Sequence, residues 1–241
     1  YENPEELMSV SLGSAETTLA KITSAYCSFV NGGKLVNPIF IDRIQDSEGK
    51  TIFNNEKRYC ENCDSISYES LNVPLIKNKY KQIFSPQTAY QMTSILEGVI
   101  KRGTGKKLKD LNLQLAGKTG TTNNNTDAWF IGFTSNLVVG VYVGHDNPES
   151  LGKYETGSKT ALPIFKQFIK NEMNNYKARP FKVAKGIVMM VVDQTTGKRA
   201  NFSSNRTIIE SFKKQQFENN INTGIDDLIF KVSKNNILEF Y

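Results

Sequence analysis

The sequence predicts an α+β fold in which an antiparallel sheet is flanked by helices. Three strand-like runs, Leu113–Thr121, Asp127–Thr134 and Leu137–Gly144, follow one another closely. Only Ser135-Asn136 separates the last two, which is a tight hairpin linker. Apolar residues also recur at helical spacing before and after these runs. Strands in sequence with helices segregated around them give helices on an antiparallel sheet rather than a parallel α/β arrangement.

In order along the chain, 14–32 reads as a helix. Leu19, Ile22, Tyr26, Phe29 and Val30 share one face, and Gly32-Gly33 stops it. Ile39–Ile44 and Thr51–Phe53 flank a turn at Asp46–Lys50 and read as a hairpin. Residues 56–84 show no period and read as a loop or insert. Ser85-Pro86 is an N-cap followed by a first-turn proline. The helix behind it carries Ala89, Met92, Ile95, Leu96 and Val99 and ends at Gly103. After the three strands, 158–172 is helical, with Leu162, Phe165 and Ile169 on one stripe. Beyond Arg179-Pro180 the character changes: Val188–Val192 is a short apolar strand, Asp193–Gly197 a turn, and 201–241 is Asn/Lys-rich with weak periodicity. There are no repeats, and a soft boundary near 178 divides 1–178 from an extension, 179–241.

Bulk properties narrow the classes. At 241 residues, with 39% hydrophobic and 10% aromatic content, the chain can bury a core. No apolar run approaches the ~20 residues that cross a bilayer. Tyr1-Glu2-Asn3-Pro4 is not the start of a signal peptide, so any anchor or export signal is expected outside this segment. The net charge is +6, but the lysines are scattered rather than set on one face, which argues against nucleic acid. Attraction to an acidic wall polymer or to anionic headgroups fits the charge. Of the cysteines Cys27, Cys60 and Cys63, the pair Cys60-Glu61-Asn62-Cys63 reads as a structural disulfide of an oxidising compartment, with inert thiols as the alternative. Zinc needs about four ligands, and one further cysteine and one histidine do not supply them. No metal is expected.

Chemistry concentrates in Gly117-Lys118-Thr119-Gly120-Thr121-Thr122. In a strand, Lys118 and Gly120 face one way and Thr119 and Thr121 the other. Lys118 offers a compact cation, Gly120 lets a ligand backbone approach, and the threonines offer hydroxyls. Thr121 adds a backbone N–H. A strand edge of this kind can hold a peptide by strand addition and grip a carboxylate. It is not a P-loop: the required first glycine is Asn112, and Gly103-Thr104-Gly105-Lys106-Lys107 lacks the Ser/Thr after its first lysine.

The surroundings give this short motif its meaning. Lys118–Thr122, followed by Asp127-Ala128-Trp129-Phe130-Ile131-Gly132-Phe133-Thr134, resembles the class A penicillin-binding proteins, particularly the 1A type. The resemblance continues in order through most of the chain. Leu12–Thr17 and Ala25-Tyr26 to Asn31-Gly32-Gly33 lie before the motif, with Gly103-Thr104-Gly105 just ahead of it. Glu155-Thr156-Gly157, Pro163-Ile164-Phe165, Arg179–Val183 and Ile208–Phe212 follow.

The resemblance implies a penicillin-binding transpeptidase-like fold, incomplete at its N-terminus, and a peptidoglycan D,D-transpeptidase that crosslinks D-Ala-D-Ala stem peptides through an acyl-serine. β-Lactams would acylate the same serine. Lys118 would be a cation near the proton relay, Thr119 and Thr121 would bind the substrate carboxylate, and the Thr121 N–H would be one of two oxyanion donors. The substrate strand would thus be Lys118, Thr119, Gly120 and Thr121, with no cofactor. The partners implied are stem peptides, β-lactams, and an upstream glycosyltransferase domain and membrane anchor of a longer parent. The parent would sit on the periplasmic side of a bacterial inner membrane.

The family's SxxK and SxN motifs are expected outside this segment, leaving the isolated chain inactive. Ser47-Glu48-Gly49-Lys50 fits SxxK in letters but lies at a hairpin tip. Ser70-Leu71-Asn72 fits SxN but is too close to Ser47, and Ser203-Ser204-Asn205 follows the KTG motif. His145, beside Asp146, reads as a surface histidine rather than a triad base. Trp129 and Phe130 are expected to pack the sheet against helices. A serine β-lactamase or D,D-carboxypeptidase fragment is the alternative, weakened by the extension after 178 and by the Trp129-Phe130 context. A non-catalytic binding or scaffold piece is the other.

Overall fold

A computed structural model of the chain describes residues 7–13, 15–55, 58–61, 75–78, 80–172 and 179–215, with the backbone alone at 58–61 and 75–78. Its elements are α1 (Leu19–Val30), β1 (Arg43–Gln45), β2 (Thr51–Asn54), β3 (Arg58–Glu61), β4 (Leu75–Asn78), α2 (Pro86–Lys101), β5 (Ala116–Thr121), β6 (Asp127–Phe133), β7 (Val138–Gly144), α3 (Ala161–Glu172), β8 (Ile187–Asp193) and β9 (Thr207–Lys213).

The central sheet is antiparallel, in the order β5-β6-β7, so β5 is an edge strand. Its pleat sorts side chains by register: Lys118 sits opposite Ile131, and Ile131 opposite Gly140, on one face. Over that face lies α1. A Cβ on Gly140 would run into Leu19 Cδ1 at 2.9 Å, so the glycine lets helix and strand meet. Nearby, Leu96 of α2, Ala116 and Phe133 form a buried cluster with Tyr26 and Phe29 of α1. On the opposite face, Phe130 and Phe165 of α3 meet edge to face with centroids 4.9 Å apart, both wholly buried. Leu108, Leu111, Leu115 and Leu162 complete this larger core. Helices on both faces of an antiparallel sheet are the α+β arrangement the sequence predicts.

Local signals also hold. The Ser85 hydroxyl accepts the Thr88 N–H at the head of α2, with Pro86 in the first turn. At the tip of β1–β2, Asp46 Oδ1 accepts the N–H groups of Glu48 and Lys50, closing the expected turn. Several boundaries differ. The first helix begins at Leu19, not 14, because Thr18 is extended and its side chain caps the Lys21 N–H. The first core strand begins at Ala116 rather than Leu113, since a 3₁₀ helix, Lys106–Leu111, precedes it and Asn112 takes a left-handed φ of 51°. The last helix starts at Ala161.

Two strand pairs were not visible in the sequence. The patternless 56–84 contains β3 and β4, paired antiparallel with Cys60 opposite Ile76. The weakly periodic 201–241 contains β9, which pairs along its whole length with β8. This hairpin is tied to α2 by Arg102–Glu210 at 2.8 Å, Gln91 donating to Ser211 O at 3.1 Å, and Lys213 to Thr88 at 2.7 Å. Cys63, Ser70 and the boundary near 178 lie outside the described residues, so the CxxC disulfide and the SxN-like triplet do too. Among the described residues no helix is long and apolar enough to cross a membrane.

Candidate active site

The motif strand lies where a peptide could reach it. Thr122 N–H donates to Asp127 O at 3.2 Å. In an antiparallel ladder, main-chain groups alternate between partner and outside every residue. Counting back from Thr122, Gly120 and Lys118 turn their main chain to β6, while Thr121 and Thr119 turn theirs to the open edge. The lysine head reports the same parity: Lys118 Nζ donates to Thr119 O at 2.7 Å. The Thr121 N–H therefore points out of the sheet, with an ammonium group held beside the strand.

On the Lys118 face the edge borders a groove of about 700 Å³. Leu19, Ile22 and Tyr26 of α1 form one wall; Lys118, Trp129 and Tyr142 are on the other. Gly120 is opposite Trp129, and without a side chain it leaves the indole uncovered. The Trp129 and Tyr142 rings lie 4.6 Å apart, and Tyr142 donates to Asp127 Oδ1 at 2.8 Å. That hydrogen bond raises the Tyr142 phenol above its ordinary pKa, with burial and the Asp127 charge adding to it. Trp129 thus stands on the groove wall rather than in the core, whereas Phe130 packs between sheet and helix as expected. The reason is register: adjacent strand residues face opposite ways, and α1 covers the Trp129 face only in part.

On the other face, two loops brace the threonines. The hydroxyls of Thr104 and Thr119 are 2.8 Å apart, and Gly157 N–H donates to Thr121 Oγ1 at 3.1 Å. A hydroxyl both accepts and donates, so Thr121 keeps its proton for another acceptor, and the Thr104–Thr119 pair keeps one as well. Gly157 is there because nothing larger fits: a Cβ would lie 2.5 Å from Gly120 O and 3.2 Å from Gly120 N. The structure brings Lys118, Thr119, Gly120 and Thr121 together at one edge, and adds Thr104, Gly157 and Tyr142, which sequence reasoning did not single out. Gly157 sits in a stretch noted only for resemblance, and Thr104 in one noted for resemblance and rejected as a P-loop. Nothing local marks them, because their partners are 15 and 36 residues away.

The other sequence candidates fall elsewhere. Ser47 is exposed in the β1–β2 turn, with no helix to bring Lys50 beside it. Ser203 and Ser204 are in a turn where Asn201 Oδ1 accepts the Ser203 N–H. His145 is exposed just past β7. Among the described residues lining the groove there is no serine, and no group of three or more His, Cys, Asp or Glu side chains converges.

An edge strand carrying Lys-Thr-Gly-Thr, an outward N–H and a groove along one face are thus brought together, as the resemblance of the sequence leads one to expect. Comparison with known proteins agrees: the penicillin binding protein transpeptidase domain matches residues 2–170, and the chain belongs to that family. It is 40% identical over 243 residues to penicillin-binding protein 1A of Rickettsia felis, covering 98% of this chain and 30% of that protein. With penicillin-binding protein 1A of Pseudomonas aeruginosa it shares 34% over 244 residues, covering 89% of this chain and 30% of the relative. The crystal structure of penicillin-binding protein 1A from Haemophilus influenzae superposes with a TM-score of 0.69 at 30% identity, over 84% of this chain and 33% of that one. The chain thus spans about 30% of the length of these relatives.

Proposed function

We propose that the chain supplies the Lys118–Thr121 wall of a peptidoglycan D,D-transpeptidase site whose nucleophilic serine comes from polypeptide outside residues 1–241. The observation that carries this is the β5 edge: an outward Thr121 N–H beside a groove that opens along the Lys118 face.

A stem peptide ending in D-Ala-D-Ala adds along β5 as an extra strand, its carboxylate accepting hydrogen bonds from the Thr121 hydroxyl and from the free hydroxyl proton of the Thr104–Thr119 pair. The serine oxygen attacks the penultimate D-Ala carbonyl, and the Thr121 N–H receives the negative charge that develops on its oxygen. The C–N bond breaks, the amine takes the proton the serine gave up, and D-alanine leaves. An amine of a neighbouring strand then attacks the ester; the C–O bond breaks, a proton of the amine passes to the serine oxygen, and the new amide is the crosslink. The Lys118 ammonium makes the potential positive where the serine proton travels, which favours loss of that proton. A β-lactam enters the same cleft and stops at the ester. The groove wall of Leu19, Ile22 and Tyr26 is apolar and suits a packed helix, the element on which the serine is carried to β5. The parent is read as a wall synthase with a glycosyltransferase half and an anchor, working on the periplasmic side of the inner membrane. The fraction of the relatives that this chain leaves uncovered has room for both.

Lys118→Ala in the polypeptide extended upstream tests the assignment. The acylation rate with a fluorescent penicillin should fall about 100-fold, the scale of a lost proton-transfer contribution, while the melting temperature stays within about 2 °C. Unchanged acylation would remove Lys118 from the mechanism.

A further inference from the structure

Away from the β5 groove, a second depression of about 540 Å³ lies between the 3₁₀ helix Lys106–Leu111 and the first turns of α3. Lys106, Lys107, Lys109 and Lys166 surround it, Asp110 is its only acid, and Leu162 and Pro163 line it. The 3₁₀ helix explains the arrangement. Leu108 and Leu111 are buried in the main core, so the three lysines between and before them are turned to solvent. Asp110 pairs with Lys166 of the same ring at 2.6 Å, with Lys170 near enough to lower its pKa further, which leaves Lys106, Lys107 and Lys109 as the unpaired charges among the described residues of the ring. Elsewhere on the neighbouring segments, Lys101 is paired to Glu97 and Arg102 to Glu210. Lys106, Lys107 and Lys109 have no such partner among the described residues.

We propose that this lysine-ringed depression binds the carboxylate-bearing glycopeptide polymer of the cell wall, outside the reaction cleft. The charge left unpaired is positive and carried by lysines, which are flexible point charges; that suits dispersed carboxylates better than one planar ligand. The depression is concave and partly apolar, and its volume falls in the range that takes a sugar-sized group, unlike the flat contact a bilayer would make. It is separate from the β5 groove, with which it shares no lining residue, but it is near the motif strand along the chain. Thr104, whose hydroxyl meets Thr119, is two residues from Lys106, within about 8 Å along the chain. The identity of the polymer rests on the function proposed above.

The test is co-sedimentation of the 241-residue chain with purified peptidoglycan sacculi across a salt series. Lys106→Gln, Lys107→Gln and Lys109→Gln together should weaken binding about ten-fold, the sum of three modest surface ion pairs, and flatten its salt dependence. A control of equal charge, Lys182→Gln with Lys185→Gln and Lys198→Gln, should change it less than about two-fold. Circular dichroism should show both variants folded. Equal loss in the two variants would overturn the proposal in favour of net charge alone. Unchanged sacculus binding, with loss confined to phosphatidylglycerol vesicles, would overturn it in favour of a membrane contact. Sedimentation needs no acylation, so it stands or falls separately from penicillin labelling.

Discussion

Gly157 shows how a single missing side chain shapes this site. Its backbone passes so close to β5 that a methyl group would overlap Gly120 O and Trp129 O, and its N–H is what fixes the Thr121 hydroxyl. Gly157→Ala has no relief except to push the loop off the strand. A loss of about 1–3 kcal/mol in urea denaturation is expected, the usual cost of overpacking, together with weaker penicillin acylation in the extended polypeptide. Unaltered stability would mean the loop has another position open to it. None of this is legible in the sequence, because the clash is between residues 37 apart that only the fold brings together. The alternation of Lys118 and Gly120 against Thr119 and Thr121 was legible, since a strand's pleat is a local property. What the hydroxyls bond to was not.

Among the elements, the same distinction separates β5–β7 from β9. In the core sheet, β6 and β7 are rich in apolar residues, and β6 is buried over most of its length. In β9, Ile208, Glu210 and Phe212 share a face, and Glu210 there meets Arg102 of α2. A charge at the middle of the docked face erases the alternation that would have announced a strand. Helix α3 is the opposite case: its stripe of Leu162, Phe165 and Ile169 was legible and is buried. Phe165→Ala should cost about 3–5 kcal/mol, read as a shift in urea midpoint; a loss below about 1 kcal/mol would contradict the packing of α3 on β6. At the β8 end, the Asp193 carboxylate accepts the N–H groups of Thr196 and Thr195, which hold its pKa below the ordinary value. A depressed pKa favours the charged form in the fold. Its contribution is therefore present above the unfolded carboxyl value of about 4 and is lost as pH falls through the lower, folded one. Asp193→Asn should accordingly lower the melting temperature at pH 7, with the gap from the parent closing below about pH 4. A gap that stays constant down to pH 2 would show that the turn does not depend on the charge.

At the scale of the whole molecule, the family was legible from ordered short motifs, although the partners that brace the site were not. The KTG strand stands at a sheet edge, its Thr121 N–H faces outward, and a groove with one apolar wall lies beside it with no serine on its described lining. Those features are the basis of the proposed acyl-transfer role. The direct measurement is penicillin labelling of this chain and of the upstream-extended polypeptide, followed by peptide mapping of the adduct. The extended polypeptide should be labelled on a serine outside residues 1–241, and the chain alone should remain unlabelled. A covalent adduct on Ser47 or any other serine of this chain would contradict it.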